Sequence, residues 1–424
     1  MRMSFCRLGL VGVLLLGLLT SSFGEDAISS ILNKNQNWKQ EAYVWQKDWN
    51  AEVGRSVREK SGSFAGFTVL ALEISWKNGR LTFEPVGIDR GLLKGIKTPI
   101  KLAVRINAIP QCLGYQAGTD AEMLLRLTEW WKRSGVGREL QIDFDCPESK
   151  LEGYSQWLKE LRARLHEVRL TITALPSWLR QDAFSTLART TDGYVLQVHS
   201  LERPTTFEAV DRLCDPMVAM KAVELAGKVG VPFMIALPTY SYLLAYSVDG
   251  KFIGLSAEGP RVEWPYQTRL KVVQSEDKEI AGLMQNWLRT VPRNCGGVIW
   301  YRLPMRGEVF NWSWPTLQSV MEGRIPKADI AIELRHPEAR LVEIDLRNNG
   351  DGDGFFAQKL VLRAKGAKMV GGDGLQGYEA VEMAADAWEL RRKNNDRLRP
   401  GERRMVGWVR LDKDVEVTVE LVKN

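Results

Sequence analysis

Histidine is nearly missing from this 424-residue chain: His166, His199 and His336 are all there is, too few for a His-rich metal centre. Cysteine is sparse too, five in total with no CxxC spacing, which leaves out the usual zinc and thiol-redox motifs, so no metal site is expected. After the first 24 residues no stretch reaches the ~18 apolar residues of a spanning helix, so no stable membrane insertion is expected. Charge of one sign is nowhere concentrated. The 58 Lys+Arg and 52 Asp+Glu leave a net charge of +6 with both signs mixed, unlike the basic stripe of a nucleic-acid binder, and that class is set aside. Also lacking are a low-complexity linker, an internal repeat, any cofactor motif, and the glycine-rich turn that a doubly wound nucleotide fold needs after an early strand.

Tryptophan, by contrast, is abundant. Its 15 residues outnumber 13 Phe and 10 Tyr, which suits either bulky core packing or a surface that stacks on flat ligands. The first residues read as a secretory leader: a short positive stretch to Arg7, an apolar run over 8–19, and small residues Ser22 and Gly24 before a cut after Gly24. That predicts an exported protein, periplasmic or extracellular, without a lipid anchor, since no Cys stands at the cut. Loss of Cys6 with the leader would leave Cys112, Cys146, Cys214 and Cys295, which allow three pairings in an oxidising compartment. Cys112 with Cys146 is the one to test; the alternative is buried thiols.

After a lead-in over 25–39, strand-like runs alternate with amphipathic ones over 40–324. The strand-like runs are 43–49, 67–76, 100–107, 140–145, 170–175, 194–199, 233–238 and 298–303. Helical runs fall at 51–60, 121–133, 151–166, 218–229, 280–288 and 314–322. Within 151–166, Leu151, Tyr154, Leu158, Leu161 and Leu165 recur at the helical period. The pattern is that of an α/β protein, a (β/α)8 TIM barrel. Asn78-Gly79 predicts a hairpin on the second strand. A long insertion over 239–274 predicts an active-site loop or lid. From 325 to 424 the texture turns to short alternating strands, the size and spacing of an immunoglobulin-like β-sandwich, read as an accessory domain.

Strand alternation places polar side chains inside the barrel. If Leu140, Ile142 and Phe144 face the helices, Gln141, Asp143 and Asp145 face the axis, with Asp145 at the C-terminal mouth. The same logic turns inward Gln46 and Asp48, Glu73 and Ser75, Arg105 and Asn107, Thr171 and Thr173, and Gln197 and His199. Branched apolar side chains fill a purely structural barrel; these predict a hydrated pocket. Carboxylates crowded at the mouth are what glycosidic cleavage needs, since crowding drives their pKa values apart into acid and base. Asp145, Asp143 and Glu73 are therefore the candidate catalytic residues. The alternative for Asp143 is a structural acid bridging Arg105.

The series Gln141-Ile142-Asp143-Phe144-Asp145-Cys146-Pro147, Leu170-Thr171-Ile172-Thr173-Ala174-Leu175-Pro176-Ser177-Trp178 and Leu196-Gln197-Val198-His199, with the early Tyr43-Val44-Trp45-Gln46, resembles a bacterial exported family known only as a domain of unknown function. The resemblance spans roughly 40–325 and implies a glycoside-hydrolase-like barrel. More distantly, Asp143-Phe144-Asp145 is similar to the Asp-x-Asp-x-Glu strand of chitinase-type barrels. Pro147 stands where that pattern has its acid Glu, with Glu148 one residue later. This departure from the substrate-assisted chitinase pattern leaves Asp145 as the acid.

Candidate substrate-binding residues are Trp45, Trp49, Trp178 and Trp300 for stacking on a pyranose, and Gln46, Arg105, Asn107, Gln197 and His199 for its hydroxyls. Tyr240, Tyr242, Tyr301 and Arg302 could cover a bound ring. His199 could instead be a hydrogen-bonded histidine closing the barrel. Asn349-Gly350-Asp351-Gly352-Asp353-Gly354 fits the first half of a calcium loop, but Leu360 stands where the bidentate Glu is needed, so the plainer expectation is a turn between strands. Two functions follow: an exported glycoside hydrolase acting on a polysaccharide or glycan, or a non-catalytic carbohydrate-binding or cell-envelope interaction protein. The partner in both is a carbohydrate, with no cofactor; the oligomeric state is not readable.

Overall fold

The structure, a computed structural model, describes residues 38–422 apart from 108, 110–116, 201–203, 210, 258–261 and 393–395. The expected leader over 1–24 and Cys112, with its pairing to Cys146, lie outside the described residues. Cys146 and Cys214 are buried, and Cys295 is half-buried.

Eight strands close into a barrel through parallel pairs only: β1 (Lys39–Val44), β2 (Gly66–Lys77), β4 (Ile100–Ile106), β5 (Glu139–Phe144), β6 (Arg169–Ala174), β7 (Tyr194–Gln197), β8 (Phe233–Pro238) and β12 (Cys295–Tyr301). The ring closes where β12 lies against β1. Gly297 makes this possible, since a Cβ there would sit 1.9 Å from the Lys39 carbonyl oxygen. The Asn78-Gly79 hairpin is present: both residues have positive φ (51° and 77°), the geometry of a two-residue turn, and β3 (Arg80–Pro85) runs back along β2.

Helices wrap the ring: α1 (Ala51–Lys60), α2 (Arg90–Gly95), α3 (Ala117–Ser134), α4 (Leu151–Arg164), α5 (Asp182–Arg189), α6 (Pro216–Val229), α7 (Asp277–Arg289) and α8 (Trp314–Met321). Their starts are written in the sequence. Asn50 caps α1 by accepting from two backbone N–H groups, and Asp215 with Pro216 does so for α6. The short α2 and α5 were not expected; six and eight residues give too little periodicity to read. Between barrel and helices lies one continuous apolar core that includes Val69, Leu102, Ile142, Leu158 and Leu237.

The insertion after β8 is a three-stranded antiparallel sheet of β9 (Ser241–Tyr246), β10 (Phe252–Ser256) and β11 (Arg269–Gln274), with β9 central. It has its own small core of Leu213, Tyr240, Leu244, Tyr246 and Val273.

After α8 the chain forms antiparallel sheets. One joins β13 (Ile330–Glu338), β14 (Leu341–Asn348), β17 (Met369–Gly374) and β21 (Arg403–Leu411). The other joins β16 (Lys359–Arg363), β18 (Tyr378–Ala384), β19 (Ala387–Arg392) and β22 (Thr418–Leu421). The short pair β15 (Gly354–Phe355) and β20 (Arg397–Leu398) completes them. Val342, Ile344, Leu360, Leu362, Leu390 and Val409 from both four-stranded sheets meet in one core.

The Gly-Asp repeat after β14 is a clasp onto the barrel. Asp351 accepts from Ser319 Oγ (2.9 Å), Lys327 N (2.8 Å) and Arg324 Nη1 (2.6 Å), and Asp353 Oδ2 accepts from Ser313 N at 2.8 Å. Those carboxylates serve helix α8 and the chain leaving it.

Candidate active site

The barrel axis is polar from its floor upward. At the N-terminal end Lys101 lies 2.7 Å from Glu41 and 3.5 Å from Glu139, and Arg169 lies 3.1 Å from Glu139. One layer higher, Gln141 donates to the Tyr43 hydroxyl at 2.6 Å. Above that the barrel opens into a cavity of about 630 Å³ lined by Tyr43, Trp45, Lys47, Glu73, Arg105, Asn107, Asp143, Asp145, Thr173, Gln197, His199, Tyr240, Tyr242, Phe252, Leu255 and Tyr301, among others. Strands β1, β2, β4, β5, β6, β7, β8 and β12 or the turns that follow them supply most of this wall, and the inserted sheet adds Tyr242, Phe252 and Leu255.

Arg105 is the centre of its charge. Its Nη1 lies 2.6 Å from Asp143 Oδ2 and its Nη2 lies 3.2 Å from Asp145 Oδ2. One guanidinium thus holds the two carboxylates within about 8 Å of each other, from its fork width and those contacts. Thr173 donates to the other oxygen of Asp143 at 2.8 Å. Asp143 is buried while Asp145, at the strand end, keeps about half its side chain in solvent (4% against 49%). Burial pushes the Asp143 carboxyl above the usual range against the pull of Arg105, with Asp145 adding to the rise. Burial also opposes the charge on Arg105, but the two carboxylates outweigh it and hold the guanidinium above its ordinary range. Across the wall, Glu73 pairs with the exposed Lys47 at 2.7 Å.

The opposite side is aromatic. Tyr301 touches Tyr43, Trp45, His199 and Tyr240 at ring centroid distances of 5.5–5.6 Å. His199 is buried, which drives its pKa down to about 3 and keeps the imidazole neutral. Its Nδ1 lies 3.3 Å from the Tyr240 hydroxyl, and its Nε2 has no partner among the described residues. Gln197 turns its amide onto the His199 carbonyl at 3.2 Å.

Some expected residues lie elsewhere. Gln46 and Asp48 do not face the axis; Tyr43, Trp45 and Lys47 do. Strand β1 ends at Val44, and its helix-facing positions are filled by Ala42 and Val44, not by the aromatics. Gln46 donates to Glu308 Oε1 (3.3 Å) and the Leu303 carbonyl (3.5 Å) behind the cavity, and Asp48 is exposed. Trp178 is buried between α4 and α5, against Tyr154 and Phe184, and donates to the Cys146 carbonyl at 3.1 Å. Trp300 faces outward from β12 and donates to Gln40 Oε1 at 3.1 Å. Trp49 packs on the outer core. These three bulky rings serve packing because each lies on the helix side of its strand or in a connecting turn. Arg302 turns away to pair with Glu308 at 2.8 Å. Glu148 accepts from Gln181 at 2.6 Å on the outer surface, outside the cavity. The sequence reading did not single out Lys47, Phe252 or Leu255. Lys47 carries no signal, and the other two depend on how the insertion folds back.

Residues 97–306 match DUF3142, a domain of unknown function, and residues 332–412 match DUF8456, a second one. No curated protein matches the chain. Among solved structures, the chain is similar to a chitinase from Chromobacterium violaceum (14% identity, 68% of this chain and 98% of that one, TM-score 0.49). It is similar also to the spore cortex-lytic enzyme SleL of Bacillus cereus (12%, 68% and 74%, TM-score 0.48) and to a chitinase from Bacteroides thetaiotaomicron (13%, 63% and 90%, TM-score 0.45). Among the described residues no cluster of three or more metal-ligating side chains occurs, and no helix is long and apolar enough to cross a membrane.

Proposed function

We propose, for a chain whose segment 97–306 belongs to the DUF3142 family of domains of unknown function, that the barrel mouth binds a carbohydrate and cleaves its glycosidic bond. The observation that carries this reading is the stack of Asp143 under Asp145, buried acid below half-exposed acid, opening into a cavity walled by aromatic rings. A cavity of this size takes a short stretch of oligosaccharide. Trp45, Tyr240, Tyr242 and Tyr301 offer faces and edges to a pyranose, and Asn107, Gln197 and His199 its hydrogen bonds.

Asp145 is the acid. In the free protein its contact to Arg105 is the longer and more exposed of the two, so an entering sugar can displace it while Asp143 keeps the guanidinium. Once displaced, the Asp145 carboxyl faces the leaving oxygen as its proton donor. Asp143 or Glu73 supplies the second carboxylate, which attacks the anomeric carbon or activates the water that does, so that the sugar gains the water's hydroxyl and the leaving oxygen keeps the donated proton. The leader over 1–24 makes this an exported activity, and the C-terminal sheets, of immunoglobulin-like size, an accessory to it.

A second reading, carbohydrate binding without cleavage, is favoured by one observation: each of the three carboxylates is already paired with a cation. Asp145→Asn decides between them. Glycan-array binding by wild type and variant, followed by product analysis on each hit, is expected to show retained binding and a turnover lowered by about 10²–10⁴. Binding without products by wild type selects the second reading, and no glycan bound at all sinks both.

A further inference from the structure

We propose that Arg397, carried by the C-terminal sheets, is a positioning residue for the aromatic wall of the cavity, so that the second domain completes the site. The inference goes beyond the function proposed above and stands whether or not the cavity cleaves a glycan.

The side chain of Arg397 leaves β20 and is mostly covered (13% exposed) at a junction of four segments. Its Nη2 donates to Gln274 Oε1 at 2.8 Å and to Ser241 Oγ at 3.4 Å. Its Nη1 donates to the Asn311 carbonyl at 3.4 Å and lies 3.6 Å from Asp353 Oδ2. Ser241 is the first residue of β9 and Gln274 the last of β11. The guanidinium therefore grips both strand ends where the inserted sheet leaves the barrel, and ties them to the loop after β12 and to the Gly-Asp clasp.

That stem is one residue from the cavity on either side. Tyr240 and Tyr242 flank Ser241, and both line the cavity. The Tyr240 carbonyl accepts from Ser275 N and Oγ (3.1 and 2.9 Å), and its hydroxyl meets His199 Nδ1. The Ser275 carbonyl in turn takes the Trp312 indole N–H at 3.1 Å. Planar, forked and five-donor, an arginine can hold a side-chain amide, a hydroxyl and a carbonyl at once in a fixed geometry. Take the fork away and the stem beside Tyr240 loses its tie to the C-terminal sheets, one of the contacts that set the Tyr240 hydroxyl against His199.

The full chain carrying Arg397→Met tests this by hydrogen exchange and by the ring signals of ¹⁵N-labelled histidine. With three histidines in the chain, His199 is identified by its loss in His199→Gln. The expected result is exchange over 241–246 and 269–274 faster by roughly tenfold or more, with β5 unchanged, and a shifted His199 ring signal. Unchanged exchange there with an unmoved His199 signal, or acceleration spread evenly over the barrel, makes Arg397 only an interdomain contact and overturns the proposal. If Arg397→Met does not fold, Gln274→Ala removes the 2.8 Å acceptor from the stem side and leaves the arginine paired. The same local exchange and the same His199 shift are then required, and their absence overturns it equally.

Discussion

At the scale of single residues, two buried titratable groups set the chemistry of the cavity in opposite ways. Asp143 is pushed up by burial but kept useful by Arg105 and Thr173. His199 is pushed down and held neutral. A histidine at about pKa 3 when folded and 6.5 when unfolded takes up its proton first in the unfolded chain. Its contribution is thus whole above pH 6.5 and lost as pH falls toward 3, at about 1.4 kcal/mol per pH unit. Urea unfolding at pH 7.5 and 4.5 is expected to show wild type losing about 3 kcal/mol more than His199→Gln. Equal losses would mean the imidazole is not held neutral. Asp143 and Arg105 both stand on alternating strands whose inward faces were legible, because β4 and β5 are long, regular and paired in register. The partner of His199 was not legible, since Tyr240 reaches it across 41 residues of chain.

At the scale of elements, the strand periods were readable and the strand ends were not. β8 occupies the expected 233–238, whereas β1 starts earlier and stops at Val44, five residues short of the expected end. That difference moved the axis-facing set from Gln46 and Asp48 to Tyr43, Trp45 and Lys47. Both sets alternate, and only the neighbours β2 and β12 settle which one turns inward. Tryptophan divides along the same line. Trp178→Ala is expected to cost about 3–5 kcal/mol in unfolding while leaving glycan binding intact, since its ring is buried between helices and its indole N–H is already used. Trp45→Ala is expected to weaken binding by about tenfold or more at a smaller cost in stability. Chemical denaturation and titration with any glycan hit compare the two; the reverse order would return Trp178 to the site.

At the scale of the whole molecule, the Gly-Asp clasp and Arg397 join two parts that separate families describe, 97–306 and 332–412. With Asp351 accepting three hydrogen bonds from α8 and the chain leaving it, the clasp has its own work without a metal. EDTA is therefore expected to leave Tm unchanged, whereas Asp351→Ala is expected to lower stability by about 2 kcal/mol or more. A Tm that falls with EDTA and recovers with calcium would restore the cation reading of this loop.

The sequence by itself determined the alternation of strands and helices, the Asn78-Gly79 hairpin, and the inward carboxylates of β5. These are local signals: side-chain period, turn chemistry and caps act within a few residues. Tertiary structure alone decided which of two alternating faces of β1 meets the axis and which tryptophans are walls of the core. It also decided that one arginine holds both acids, and that residue 397 reaches the stem of an insertion more than a hundred residues earlier. Each of those is a choice among partners distant in the chain, made by closure of the barrel and by burial, and no local pattern encodes it.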